Sequence, residues 1–444
     1  MSAAEEFAKI DAELLARGFT RLVFDLGKVE ELLDLLGSPQ RAYPSIHLTG
    51  TNGKTSTARM IDSLLLAHGL HTGRYTSPHL ETVRERIALD NEPIDEERFV
   101  ATYREIAPVA GLVDAHFPEP LTYFDVTTAM AFAAFADAPV DVAVVEVGLG
   151  GAEDATNVLH AGVCVITPVG LDHTEWLGDT IEDIALAKSG IVHSGAMLIC
   201  AAQPEEAIRP IVARCVEVGA TIAREGAEFG VIDRELAVGG QLVSLQGLGG
   251  VYEDVFIPLH GAHQAQNATL ALAAVEAFLG AGAAKQLDAE LVRAGFAATS
   301  SPGRLERVRS APTILLDAAH NPHGMAATVA TLTEEFAFGR LVGVLAMLGD
   351  KDVHAVLQLL EPVLDAVVVT RNTSPRAMPV ERLAAVAVDV FGADRVLTQL
   401  NLPDAIEAAV ALAESDVDSS LAGVGVLITG SVVTAADARR LLKR

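Results

Sequence analysis

Apolar residues fall into short runs separated by polar turns, and their spacing alternates between a strand period and a helix period. "SIHLT" (45–49) reads as a short buried strand. "KTSTARMIDSLLLAHG", which follows a glycine-bearing turn, places its apolar residues at helical intervals. The β-rich runs "DVAVVEV" (141–147) and "GVCVITPV" (162–169) each lead into polar residues at their carboxyl ends, the edge where open α/β sheets bind ligands. "DTIEDIALAKSGI" reads as a helix with Asp179 as its cap. "AMLICAA" (196–202) is a further strand, and "QLVSLQGLGGVYEDVFIPL" reads as antiparallel strands around a glycine turn.

Ser, Pro and Gly cluster in "ATSSPGRLE" (298–306), which marks a change of unit. Residues 1–298 are expected to form one α/β domain and 299–444 a smaller, doubly wound one. In the latter, "TILLDAA", "LVGVLAML", "AVVVTR" and "GVLITG" alternate with helical patterns.

Composition narrows the picture. A chain of 444 residues, 50% hydrophobic and 20% charged, is globular and long enough for more than one core. The net charge of −27 excludes a broad basic footprint for nucleic acid. An anionic ligand therefore needs local cations and a metal ion. No apolar run has membrane-spanning length and the N-terminal stretch carries early acids, so a cytoplasmic protein without membrane association is expected. Cys164, Cys200 and Cys215 lack CxxC spacing and read as small core residues in a reducing compartment.

The chemistry centres on "HLTGTNGKTST" (47–57). The general phosphate loop is GxxxxGK followed by Ser or Thr, but Leu48 stands where its first glycine belongs and the glycine present is Gly50. Lys54 still supplies a point charge for phosphates, Thr55 a hydroxyl for Mg²⁺ or a phosphate oxygen, and Gly53 close backbone approach. Glu146 ends a strand before "GLGG" and suits Mg²⁺, although a solvated strand-end acid fits the same pattern. His173 follows the next strand and is equally an ordinary loop residue. Lys188 ends its helix, where a cation also simply complements the dipole.

"GTNGKT", followed in order by "TSPHL", "TYFDVTTAMAF", "EVGLGG", "DATN", "LDH", "KSGI", "HQAQNA", "SPGRLE" and "DAAHNP", resembles the folylpolyglutamate synthase/dihydrofolate synthase family of the Mur ligase superfamily, its actinobacterial members in particular. The resemblance spans nearly the whole chain. It implies a P-loop Mur-ligase-like ATPase and pterin-binding domain followed by a Rossmann-like domain of the glutamate ligase C-terminal type. The implied reaction joins L-glutamate to dihydropteroate or a reduced folate, using ATP and Mg²⁺ and passing through an acyl phosphate. Small-molecule substrates and a monomer are expected.

Carried over by position, Asn52, Gly53, Lys54 and Thr55 match the family's ATP loop, and Asn267, Arg304, Asp317 and His320 match further nucleotide contacts. Ser77, Glu146 and His173 match magnesium ligands, and Lys188 matches a lysine that the family carbamylates. Thr122, Tyr123, Phe124 and Asp125, with Glu153, Asp154 and Ala155, match pterin-binding segments. There Phe124 would stack on the heterocycle and Asp125 and Asp154 would accept hydrogen bonds from its nitrogens. The resemblance also implies a site drawn from both domains, closing around ATP. The chain departs from the family at Asp125, usually Glu; at Ala152 and Glu153, usually basic or polar and then aromatic or Leu; and at Ala187, often Glu. A UDP-muramoyl amino-acid ligase is the nearest alternative, disfavoured by the short stretch before Gly50 and by "TSPHL" and "HQAQNA". A noncatalytic nucleotide-binding relative is the other.

Overall fold

The computed structural model describes residues 3–18, 26–282, 285–415 and 423–443. Its largest sheet has eight strands: β1 (Ser45–Thr49), β2 (Thr72–Tyr75), β3 (Ile87–Leu89), β4 (Glu92–Pro93), β5 (Val142–Glu146), β6 (Val163–Ile166), β7 (Met197–Cys200) and β8 (Thr221–Arg224). They lie in the order β4-β3-β2-β5-β1-β6-β7-β8. All neighbours from β2 to β8 are parallel, and β3 and β4 add an antiparallel edge.

Every residue of β1 and β5 is buried, as expected of central parallel strands covered on both faces. On one face, Tyr123, Phe132 and Phe135 of the helix Tyr123–Asp137 pack with Ala143 and Val145 of β5, and further along that same face Ile184, Ile191 and Ile211 pack with Cys164 and Ile166 of β6 and Leu198 of β7. Gly73 of β2 makes room for Phe135, whose ring would lie 2.5 Å from a Cβ there. Each such fully buried aromatic contributes about 1.5–3 kcal/mol relative to exposure. The register sets Leu48 beside Glu146 and Thr49 beside Ile166, so the loops leaving β1, β5 and β6 emerge side by side.

Strands β9 (Gly230–Ala237), β10 (Gly240–Gln246) and β11 (Val251–Ile257) form a three-stranded sheet in the order β11-β10-β9. The glycine turn between β10 and β11 is closed by Gly247 N–H donating to Gly250 O at 2.8 Å. Buried Glu276 clamps it, accepting from Gly249 N at 3.0 Å and from the Tyr252 hydroxyl at 2.8 Å. The helix expected to be capped by Asp179 spans Ile181–Ser189 and is capped one residue later. The Thr180 hydroxyl accepts from Asp183 N at 3.1 Å, which satisfies a helix-start donor that Asp179 does not reach.

The remaining strands, β12 (Glu306–Ser310), β13 (Thr313–Leu316), β14 (Phe338–Leu345), β15 (Ala366–Val369), β16 (Val396–Thr398) and β17 (Gly423–Thr429), form a six-stranded sheet in the order β12-β13-β17-β14-β15-β16. It is parallel except for β12. Two separate apolar layers cover its faces, one around Leu357 and Leu383 and the other around Ala405 and Ile406, which is the doubly wound arrangement.

Two compact units result: residues 1–235, 242–258 and 265–300, and residues 236–241, 259–264 and 301–444. The main division falls just beyond the expected 298. The two short segments group with the second unit because Gln241 Nε2 donates to Leu259 O and Gly261 O, while Gly261 N donates to Glu335 at 2.7 Å. Among the described residues no helix is long and apolar enough to cross a membrane. The three cysteines are buried and unbridged.

Candidate active site

The loop from β1 to the helix Lys54–Ala67 is shaped by two glycines with positive φ, Gly50 at +147° and Gly53 at +90°. A Cβ on Gly50 would lie 1.8 Å from Thr167 Oγ1, and one on Gly53 would lie 2.4 Å from Asn267 Oδ1. No other residue type fits either position. Thr167 Oγ1 donates to Asn52 O at 2.7 Å. Thr51 N donates to Pro168 O at 3.0 Å, and Thr51 Oγ1 to Gly170 O at 3.0 Å. The loop is thus laced to the exit of β6 and leads into the positive end of a 14-residue helix, where backbone amides favour an anion.

Lys54 opens that helix, and its Nζ donates to Gly50 O at 2.9 Å and Thr51 O at 3.2 Å. From the next position, the Thr55 hydroxyl reaches both oxygens of Glu146, at 3.0 and 2.9 Å. Ser77 N donates to the same carboxylate at 3.3 Å. Glu146 is only 1% exposed, a buried carboxylate carried by the sheet edge to the hydroxyl of Thr55 and the backbone of Ser77. This hard-oxygen set fits Mg²⁺.

His173 has a left-handed backbone, φ +52°, and begins the short helix Thr174–Leu177. Its Nε2 lies 3.9 Å from Asp172 and its side chain is 45% exposed. Among the described residues no three His, Cys, Asp or Glu side chains form a metal-holding group. The structure therefore brings Ser77, Glu146 and Thr55 together and sets His173 beside Asp172.

Lys188 is buried, and its Nζ donates to Gly50 O at 2.9 Å. Burial pushes its pKa down to about 7; the Lys54 charge adds to the shift, and Asp172 and Asp154 oppose it. Near neutral pH much of this amine is uncharged. Its role exceeds the dipole complementarity that the helix pattern alone suggests.

The expected pterin segments divide on inspection. Thr122 and Asp125 form a reciprocal capping box at a helix start: Asp125 N donates to Thr122 Oγ1 at 3.2 Å and Thr122 N to Asp125 Oδ2 at 2.9 Å. Asp154 accepts from Leu149 N at 2.9 Å and from Thr156 N at 3.0 Å, fixing the glycine turn after β5, and burial raises its pKa. Both acids thus accept from backbone amides, beside the hydrogen bonds from pterin nitrogens that the resemblance implies for them. Tyr123 is buried beneath the Arg86 guanidinium, 5.0 Å from its ring, and burial raises its pKa to about 12. Ala155 is buried as well. Phe124 is half-buried, with its ring 5.8 Å from that of Tyr75 and against Gly148, where a Cβ would lie 2.5 Å away; Glu153 is exposed.

In the second unit, Asp317 follows β13 and is buried. It accepts from Leu305 N at 3.0 Å, Ala319 N at 2.9 Å and the Thr328 hydroxyl at 2.9 Å. It thereby anchors Leu305, whose φ is +44°. Arg304, the residue before, is half-buried, and His320 Nδ1 lies 2.9 Å from Ala318 O. Sequence reasoning overlooked Thr167, which braces the loop, and Arg86, which roofs Tyr123. Thr167 was signalled only by its place directly after an apolar strand.

A parallel sheet that delivers a glycine loop, a helix-start lysine and a hydroxyl–carboxylate pair to one edge defines a P-loop α/β nucleotide-binding protein. Residues 48–275 match the Mur ligase middle domain, and 303–432 match the Mur ligase glutamate ligase domain. The dihydrofolate synthase/folylpolyglutamate synthase of Mycobacterium tuberculosis is 54% identical over 96% of this chain and 91% of its own length. That of Bacillus subtilis is 33% identical over 94% and 95%. Among solved structures, M. tuberculosis folylpolyglutamate synthase complexed with ADP and AMPPCP aligns with a TM-score of 0.94 and 53% identity, covering 100% of this chain and 99% of that one. An Escherichia coli relative in complex with DHPP and ADP aligns at 0.85 and 30%, covering 100% and 99%. The chain belongs to the Mur ligase family, in its folylpolyglutamate synthase/dihydrofolate synthase branch.

Proposed function

We propose that this protein is an ATP-dependent ligase that forms an amide between L-glutamate and the carboxylate of dihydropteroate or a reduced folate. The convergence of Lys54, Thr55 and Glu146 on one glycine loop carries this reading, and the naming of its relatives supports it. A carboxylate is a poor electrophile at neutral pH. One carboxylate oxygen attacks the γ-phosphorus of ATP and ADP leaves, giving an acyl phosphate; the glutamate amine then attacks the acyl carbon, and phosphate departs with that oxygen.

The chain's residues act by position and charge. Asn52, Gly53 and the helix start hold the phosphates, with Lys54 turning from the loop carbonyls toward them. Thr55, Ser77 and Glu146 would hold Mg²⁺, with His173 as a further proposed ligand; when bound, the ion neutralises charge on the transferring phosphoryl group. Asn267, packed against Gly53, keeps that glycine in place. Phe124 and Glu153 are the members of the pterin segments proposed to meet the acceptor.

Lys188 is proposed to carry a carbamate. Its uncharged amine adds CO₂ and releases one proton, replacing a neutral amine beside Lys54 with an anion that organises charge around the phosphates. We place the reaction in the cytoplasm, carried out by a monomer; the unbridged cysteines suit a reducing compartment. The test is phosphate release and product formation with ATP, Mg²⁺ and L-glutamate, offering dihydropteroate, a reduced folate or a UDP-muramoyl acceptor in turn. Turnover with either pterin substrate is expected; turnover with the muramoyl acceptor alone would overturn the reading.

A further inference from the structure

Asn157 lies in the tight turn Ala155–Val158 and is buried. Its Nδ2 donates to Ala152 O at 2.9 Å and to Gly190 O at 3.3 Å. These carbonyls stand on opposite sides of one seam. On one side is the glycine turn that follows Glu146; on the other is the end of the helix bearing Lys188. Ala152 N crosses the seam to Ala187 O at 2.9 Å. A Cβ on Gly151 would lie 2.7 Å from Lys188 O, and one on Gly190 would lie 2.3 Å from the Ala152 Cβ, so the two backbones touch directly.

Because Nδ2 is spent on two carbonyls, Oδ1 of Asn157 faces His193, whose Nε2 is 3.1 Å away. That ring nitrogen must then carry a proton and donate. His193 is itself held by His160, with ring centroids 4.8 Å apart. A chain of contacts thus runs from His160 through His193 and Asn157 to the backbone from which Lys188 springs.

We propose that Asn157, oriented by His193, is a positioning residue for Lys188: its amide pins the helix end to the glycine turn so that the lysine amine meets the Gly50 carbonyl. The inference rests on the reading of Lys188 as part of the ligase site. Asn157 touches no reacting atom and acts only through the geometry of the lysine.

The test combines kinetics with a pH profile of Lys188 itself, measured on the full chain without nucleotide by amine acetylation and peptide mass spectrometry. Asn157→Ala and Asn157→Asp should lower kcat by about tenfold to a hundredfold while KM for ATP stays within about threefold, since orientation is lost and phosphate binding is not. The acetylation midpoint of Lys188, about 7 in the unaltered protein, should rise by at least about one pH unit as water reaches the amine. His193→Gln, whose amide can donate in place of Nε2, should recover most of the rate and the low midpoint; His193→Leu should not. If Asn157→Ala does not fold, the His193→Leu and His193→Gln pair makes the same comparison. A kcat within twofold of normal, or a fall in kcat with an unmoved acetylation midpoint, would overturn the proposal. Normal turnover by Lys188→Met would instead overturn the reading of Lys188, and the acetylation profile would still report on the tie.

Discussion

Lys188 and Gly50, 138 positions apart, are joined by a 2.9 Å hydrogen bond from the lysine amine to the glycine carbonyl, the same carbonyl that Lys54 approaches at 2.9 Å. Two amines converging on one loop oxygen repel each other when both are charged, and only one of them is deeply buried. That asymmetry makes Lys188 the amine that gives up its proton.

The consequence for stability has a definite sign. Lys188 titrates near 10.5 when unfolded and near 7 when folded, so between these values the unfolded chain binds more protons. Stability gained from this group therefore rises with pH across that window, by at most about 1.4 kcal/mol per unit. Urea unfolding of the unaltered protein and of Lys188→Met from pH 7 to 9.5 should show the slope in the former and its loss in the latter. Parallel curves would contradict the shifted titration.

Gly50→Ala and Gly111→Ala should move in opposite directions. At Gly50 the new methyl would meet Thr167 Oγ1 at 1.8 Å with φ at +147°, so the loop must distort; ATP affinity should fall at least about tenfold, with a lowered Tm. Gly111 lies inside the helix Glu96–His116 with nothing within 4 Å of the added carbon. Alanine there should add about 0.5–1 kcal/mol, measured by denaturant unfolding.

Thr55→Val removes the hydroxyl that both Glu146 oxygens share while keeping the side chain's shape. A fall in kcat of about a hundredfold is expected, with a raised Mg²⁺ requirement and little change in Tm. Glu146→Gln should abolish the response to Mg²⁺. Kinetics against free Mg²⁺ check both, and unchanged activation curves would remove Thr55 and Glu146 from the site.

Asp317 satisfies two backbone amides and a hydroxyl from a buried position. Asp317→Ala leaves both amides without that acceptor, with the Thr328 hydroxyl keeping only Gly324 O at 3.3 Å, and should cost about 2–4 kcal/mol. Calorimetric unfolding measures this. An unchanged melting profile with weakened ATP binding would make Asp317 purely a nucleotide contact.

Local patterning made much of this visible. The strand–glycine–helix order around "HLTGTNGKTST" places Lys54 and Thr55 because neighbouring residues determine a loop and a helix start. The contacts of Lys188 were not legible: the helix pattern explains a terminal cation by the dipole alone, and only the sheet order β5-β1-β6 brings Gly50 within its reach. Asp125 and Asp154 show the opposite case. Thr122 and Asp125 stand at capping-box spacing and Asp154 precedes a tight turn, so their local structural roles are readable from neighbouring residues, whereas contact with a pterin is implied by the family resemblance alone.

The central claim is that ATP activates the acceptor's carboxylate, and transfer of a carboxylate oxygen tests it most directly. With dihydropteroate or a reduced folate labelled with ¹⁸O in the reacting carboxylate, plus ATP, Mg²⁺ and L-glutamate, each inorganic phosphate released should carry one labelled oxygen alongside the new amide. Amide formation with phosphate that contains no ¹⁸O would contradict the account.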